Sequence, residues 1–261
     1  MKTRALWLAI SAGLLVTPAM HAADWTGTGE FGLALARGNS ESETLNARFN
    51  FKKETDPWLY EFTGGALRAE GEVIVVNPNT GQTSRIKVSN ANRFDLGGKV
   101  GYKFDERLYT VGTGRYDQDD FAAFRWQFIG AASLGYRFIQ NERTKLFAEI
   151  GPGWRRSQPV DIRVLTPPPP VVVIPSTQTS LIGRLAVGFA HNVSDSTSLT
   201  SDLVVESGGG DTFAQNDLGL SVAINQRFAL KTGLQLRHNS DVSPGIKKTD
   251  TLVTTNVVVN F

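Results

Sequence analysis

Counted back from the last residue, apolar or β-branched side chains recur at every second position: Phe261, Val259, Val257, Thr255 and Val253. Asn260, Val258, Asn256, Thr254 and Leu252 fill the alternate places. A period of two is the pattern of a strand whose faces meet different surroundings. The same pattern recurs from residue 24 onward and predicts twelve strands. The first sets Trp25, Phe31, Leu33 and Leu35 against Thr26, Thr28 and Glu30, and the second sets Leu45, Ala47, Phe49 and Phe51 against Asn46, Arg48, Asn50 and Lys52. The sixth and tenth carry Leu134, Tyr136 and Phe138, and Leu218, Leu220 and Val222, on their apolar faces. The fifth, over 108–116, alternates poorly.

An amphipathic strand at the end of a chain leaves an edge open to aggregation, unless it pairs with the first strand and closes a ring. Three features place that ring in a membrane. The strands are near ten residues, against a mean of about five to six in soluble sheets. Aromatic residues gather at strand ends (Trp25, Trp58, Tyr60, Phe104, Tyr109, Phe138, Phe228 and Phe261) and are expected to form an interfacial girdle. The connections also alternate in length. Short ones such as Asp105-Glu106-Arg107, Asn141-Glu142-Arg143 and Asn225-Gln226-Arg227 follow even-numbered strands, and long ones over 71–89, 158–177 and 240–247 follow odd-numbered strands. The expected fold is therefore all-β: a transmembrane antiparallel β-barrel of about twelve strands with long extracellular hairpin loops and both termini periplasmic. Segments 72–76 and 84–88 are expected to form one hairpin extension and 160–164 with 171–174 another, the second carrying four prolines at 167–170. The proline run suits an exposed tip, because proline cannot join a ladder.

Lys2 and Arg4 precede an apolar run over 5–16, and small residues follow over 19–23. This predicts a secretory signal peptide over residues 1–22, its apolar run being too short to span as a helix, and a barrel domain over 23–261. The chain has no cysteine, which excludes disulfides, thiolate chemistry and cysteine-ligated zinc. The net charge is +2 with the signs interspersed, so there is no basic block of the kind that binds nucleic acid.

Several local motifs carry a resemblance. Trp25-Thr26-Gly27 with Glu30-Phe31-Gly32 and Gly38-Asn39-Ser40-Glu41-Ser42-Glu43-Thr44 form an opening hairpin. Gly135-Tyr136-Arg137-Phe138 and Glu149-Ile150-Gly151-Pro152-Gly153 lie in the middle, and Ser243-Pro244-Gly245-Ile246-Lys247-Lys248-Thr249-Asp250-Thr251 leads into the final strand. In order and spacing these resemble the YdiY-like salt-stress-induced outer-membrane protein family. The resemblance implies an outer-membrane barrel of a Gram-negative envelope with a role under osmotic or salt stress, and it implies no catalytic site.

The candidate chemistry is sparse. His238-Asn239-Ser240 puts an imidazole and a hydroxyl on one strand face, the spacing a lipid hydrolase of phospholipase or lipid A deacylase type would need. Parity with Leu234 and Leu236 turns both toward lipid. His191 stands alone and His21 lies in the signal peptide, so no multi-histidine metal site can form, and no cofactor is expected. Asp117-Gln118-Asp119-Asp120 reads as a solvated outer turn and Gly208-Gly209-Gly210-Asp211 as a flexible outer loop.

The inward parity gives the more informative set: Glu30, Arg48, Lys52, Glu61, Asp95, Lys99, Lys103, Arg125, Arg137, Glu149, Arg155, Arg184, Asp202, Glu206, Lys231 and Arg237. Basic residues outnumber acidic ones ten to six in this set, so an open lumen is expected to lean toward anions. Val257, Val259 and Phe261 are expected to form the signal read by the barrel assembly machinery. That machinery and outer-membrane lipid are the expected partners. The sequence leaves the oligomeric state open. The leading expectation is a non-enzymatic barrel, a narrow passive channel. The alternatives are the hydrolase using Ser240 and His238, and a structural or adhesive barrel using the proline-rich loop.

Overall fold

The computed structural model describes residues 25–36, 42–76, 81–120, 124–159, 162–164, 171–173, 176–242 and 247–261. The expected signal peptide and the proline run at 167–170 lie outside them. The elements are β1 (Trp25–Ala36), β2 (Ser42–Glu54), β3 (Trp58–Val76), β4 (Thr83–Lys103), β5 (Leu108–Asp119), β6 (Phe124–Gln140) and β7 (Thr144–Pro159). They continue with β8 (Ile162–Val164), β9 (Val171–Val173), β10 (Gln178–Asn192), β11 (Thr197–Gly208), β12 (Asp211–Ala223), β13 (Phe228–Asn239) and β14 (Thr249–Asn260).

Twelve of these close into an antiparallel barrel in the order β1-β14-β13-β12-β11-β10-β7-β6-β5-β4-β3-β2. The expected fold class and strand number hold. β3 and β4 are nineteen and twenty-one residues long. They stay paired out to Val76↔Thr83, so the first long connection does extend its hairpin. The second does not continue its strand pair: β8 and β9 form a separate two-stranded sheet.

Alternation sorts the side chains. Leu96, Leu134, Ile150, Leu181 and Val253 are more than half exposed and cover the outer wall. Glu149, Glu206, Arg155 and Arg184 are buried inside. That is the inversion a membrane barrel requires, with an apolar face toward hydrocarbon and polar groups within. β5 explains its weak pattern. Its outward positions include Gly112 and Gly114, while Val111 and Tyr109 are buried on the inward face. Tyr109 is therefore not part of an outer girdle. Gly209 and Gly210 form a tight turn between Gly208 and Asp211, each with positive φ (68° and 86°), rather than a flexible loop.

Four of the five short turns share one device. Asp105 accepts the N–H groups of Arg107 and Leu108 at 2.6 and 2.7 Å. Asn141, Ser194 and Asn225 do the same for the residues two and three places on. The carbonyls of Pro57, Arg107, Arg143, Ser196 and Arg227 then accept the amides of Lys103, Arg137, Asn192, Ala223 and Asn260 at 2.7–2.9 Å. Each turn is thereby tied to the end of the next strand pair around the rim. Closure adds the Phe261 amide on the Gly27 carbonyl at 2.9 Å, with the Phe261 ring 6.4 Å from that of Phe51.

Two outcomes follow. Ile150 lies outward near the middle of β7 and is 66% exposed. Ile150→Lys should lower the unfolding free energy by about 2–4 kcal/mol in vesicles, as measured by urea titration, because it sets a charge near the bilayer midplane. A surface position in water would change by only about 0.5 kcal/mol. The two backbone N–H donors hold the Asp105 carboxyl below the usual carboxylate range. Its contribution is therefore complete above that range and is lost as pH falls through the depressed pKa. Acidification should reduce hydrogen-exchange protection of the Leu108 amide in the wild type but not in Asp105→Asn, which keeps the acceptor without the titration.

Candidate functional site in the barrel lumen

Inward-facing positions recur at every second residue of each strand, so charges on different strands meet inside the ring. Two carboxylates, each only 1% exposed, anchor the middle. Glu149 accepts from Lys99 at 2.9 Å, from the Tyr109 hydroxyl at 3.1 Å and from Arg184 at 3.4 Å. Glu206 accepts from Arg115 at 3.0 Å and lies 4.0 Å from both Arg155 and Arg184. Arg115 also holds Asp117 at 2.8 Å, and Arg155 holds Asp211 at 2.8 Å. A charge taken out of water needs such partners, because its desolvation costs several kcal/mol or more.

Other pairs span the lumen. Arg237 on β13 meets Asp119 on β5 at 3.1 Å. Those strands stand six places apart in the twelve-strand ring, on opposite walls. Arg93 on β4 donates to Gln235 on β13, and Gln235 donates to Asp217 at 2.5 Å. Arg48 on β2 lies 3.7 Å from Asp217 on β12. Arg115 and Arg237 both lie over the Phe213 ring, 5.5 and 5.4 Å from its centroid. Toward the short-turn rim, Glu54 pairs with Lys103 at 3.3 Å and Arg137 at 3.0 Å, and Lys52 with Glu61 at 3.2 Å. Beside the β1–β14 seam, Lys231 meets Glu30 at 2.6 Å.

Of the sixteen residues expected to line the lumen, thirteen fall in these pairs. Asp95 leans over Gly65, with Oδ1 only 2.7 Å from where a Cβ there would sit, and Asp202 lies opposite Asp217 in the β11–β12 register. Arg125 is exposed at a register irregularity near the start of β6. Sequence reasoning missed Glu54, Arg93, Arg115, Asp117, Asp119, Asp211 and Asp217, all of which join the ion pairs or the links between them. The additions are two basic against five acidic, so the expected excess of cations shrinks from four to one. Arg93 was legible two places before Asp95. Arg115, Asp117 and Asp119 were hidden by the glycines of β5, which also moved Asp117 and Asp119 from a supposed turn onto the strand.

The two hydrolase candidates do not come together. The Ser240 hydroxyl donates to Asp211 at 3.1 Å and accepts the Thr212 amide at 2.8 Å. His238 Nδ1 shares a 2.9 Å hydrogen bond with Thr249. His191 does the same with Thr144, also at 2.9 Å. Among the described residues no group of three or more His, Asp or Glu side chains is arranged to hold a metal ion.

The comparisons agree with this architecture. The chain is 22% identical over 224 residues to the uncharacterized protein YdiY of Escherichia coli K12, covering 86% of this chain and 78% of that one. The translocator domain of the autotransporter NalP from Neisseria meningitidis superposes with a TM-score of 0.50 at 13% identity, covering 91% of this chain and 86% of that one. The COG4313 outer membrane channel from Pseudomonas putida F1 aligns with a TM-score of 0.47 at 13% identity, over 94% and 100% of the two chains. The structure is that of an outer-membrane β-barrel. The model of a family described as protein of unknown function, DUF481, matches residues 29–261, and the chain belongs to that family.

Proposed function

We propose that this barrel is a non-enzymatic, narrow polar passage across the outer membrane, held nearly shut by ion pairs that reach between its walls. The supporting observation is the Arg237–Asp119 pair, which joins opposite walls at 3.1 Å. The placing of Ser240 on Asp211, away from His238, weighs against the hydrolase reading. The short-turn rim carries both Trp25 and Phe261, which supports a periplasmic position for that rim. Val257, Val259 and Phe261 form the strand segment offered to the assembly machinery. Val257 and Phe261 are 47% and 72% exposed on the outer wall.

A closure built from ion pairs responds to ionic strength. The Debye length falls from about 10 Å at 0.1 M to about 3 Å at 1 M salt, and the half-buried pairs weaken with it. That property fits a role in the envelope under osmotic or salt stress. Planar-bilayer recordings should show small conductance steps that rise more steeply with salt than the bulk conductivity does. Arg237→Ala, which removes the opposite-wall pair and the contact with Phe213, should enlarge the steps at low salt. Absence of conductance in both proteins would leave a structural barrel. Glu206→Gln strips the charge from a buried carboxylate facing Arg115, Arg155 and Arg184, and should cost about 3–5 kcal/mol in urea unfolding of the refolded barrel.

A further inference from the structure

The β1–β14 seam is the shortest ladder of the barrel. Register pairs run only from Thr28↔Asn260 to Phe31↔Val257, although β1 continues to Ala36 and β14 begins at Thr249. The flanking ladders, β1–β2 and β13–β14, hold twelve and eleven pairs. A tilted strand crosses the bilayer in roughly 9–11 residues. Residues 32–36 of β1 therefore lie in the half of the apolar band away from the short-turn rim. A strand edge without a partner is costly at that depth.

The surroundings of the seam differ on its two sides. Behind it, in the lumen, the Arg93 guanidinium meets the neutral Gln235 and, among the described residues, pairs with no carboxylate. Arg237 and Arg48 stand close enough to repel it and Asp119 and Asp95 close enough to attract it, and Arg48 itself lies 3.7 Å from Asp217. Outside, Phe31, Leu33 and Val253 are exposed, next to a cleft of about 270 Å³ that Phe31, Leu45, Ala47, Ala66 and Phe94 help to line. Where the ladder ends, the side-chain carbonyls of Asn46 and Asn256 are buried without a hydrogen-bond donor. Both converge on the space a Cβ of Gly32 would occupy, at 2.2 Å. Asn256 is oriented by its amide, which donates to Glu30 at 3.2 Å.

From this we infer that the seam above Phe31 and Val257 parts to bind an anionic glycerophospholipid whose headgroup bears free hydroxyls. The phosphate meets Arg93 and Arg48 in the lumen. The hydroxyls donate to Asn46 and Asn256. The acyl chains pass between β1 and β14 into the outer cleft and the bilayer. The binding does not depend on whether the lumen conducts.

The chain has no cysteine, so a staple across the seam is unambiguous. Leu33 and Thr255 are the next outward pair in the interrupted register. The full barrel is refolded into phosphatidylcholine vesicles carrying chain-spin-labelled phosphatidylglycerol or phosphatidylcholine, and the motionally restricted fraction of each is measured. The wild type should prefer phosphatidylglycerol. Arg93→Gln should reduce that preference roughly tenfold, the size expected for one charge-assisted contact. The Leu33→Cys/Thr255→Cys barrel should lose the preference when oxidised and regain it on reduction, the reduced form serving as the folded control. A wild type without preference, or a preference indifferent to the staple, overturns the inference. Loss of the preference to inorganic phosphate in both states of the staple would also overturn it, and would assign the arginines to free anions.

Discussion

In hydrocarbon no water is present to serve a backbone amide or carbonyl, so each must find a partner within the protein. A β-strand meets that demand only when both edges are paired, and a set of strands meets it only by closing. Everything else in this barrel is subordinate to that requirement. The turns at the short rim pass hydrogen bonds from one strand pair to the next, and the last strand returns to the first at Gly27. Among the described residues, the shortest ladder of the ring is the β1–β14 seam, whose register stops at Phe31↔Val257.

Closure creates an interior that the same alternation fills with polar groups. Twelve strands enclose more space than aligned side chains from one wall can fill. The interior is instead bridged by long charged side chains, and the bridges fall in layers. Glu54, Arg137 and Lys103 meet near the short turns, Glu149 and Glu206 gather four cations in the middle, and Arg237, Asp119, Arg93 and Gln235 cross farther out. Each buried carboxylate is tolerable because more than one cation faces it, which makes the network cooperative rather than a set of independent pairs. A lumen of this kind is governed by the positions of pairs, not by its net charge.

Family membership adds no chemistry, because the family is one of unknown function. The relative in Escherichia coli is itself uncharacterized, and the likeness to the NalP translocator domain is one of fold. The functional reading therefore rests on the geometry of the interior and of the seam.

Alternation together with the lengths of the connections determined the strand number, the outward apolar face and the short-turn rim, because in a barrel each strand faces lipid on one parity and the lumen on the other. It also placed Glu149, Arg184, Glu206 and most of the inward charges. It failed where a strand's outward positions are glycine, as on β5, since a missing side chain erases the pattern without changing the backbone. Partnership was beyond it altogether. Glu206 meets Arg115 across 91 residues and Arg93 meets Gln235 across 142, and these distances close only when the ring does. The tertiary structure also decided that Ser240 turns to Asp211, that the cation excess shrinks to one, and that the register of the first and last strands ends at Phe31. Register around a closed ring is a property of all twelve strands together, and no local stretch encodes it.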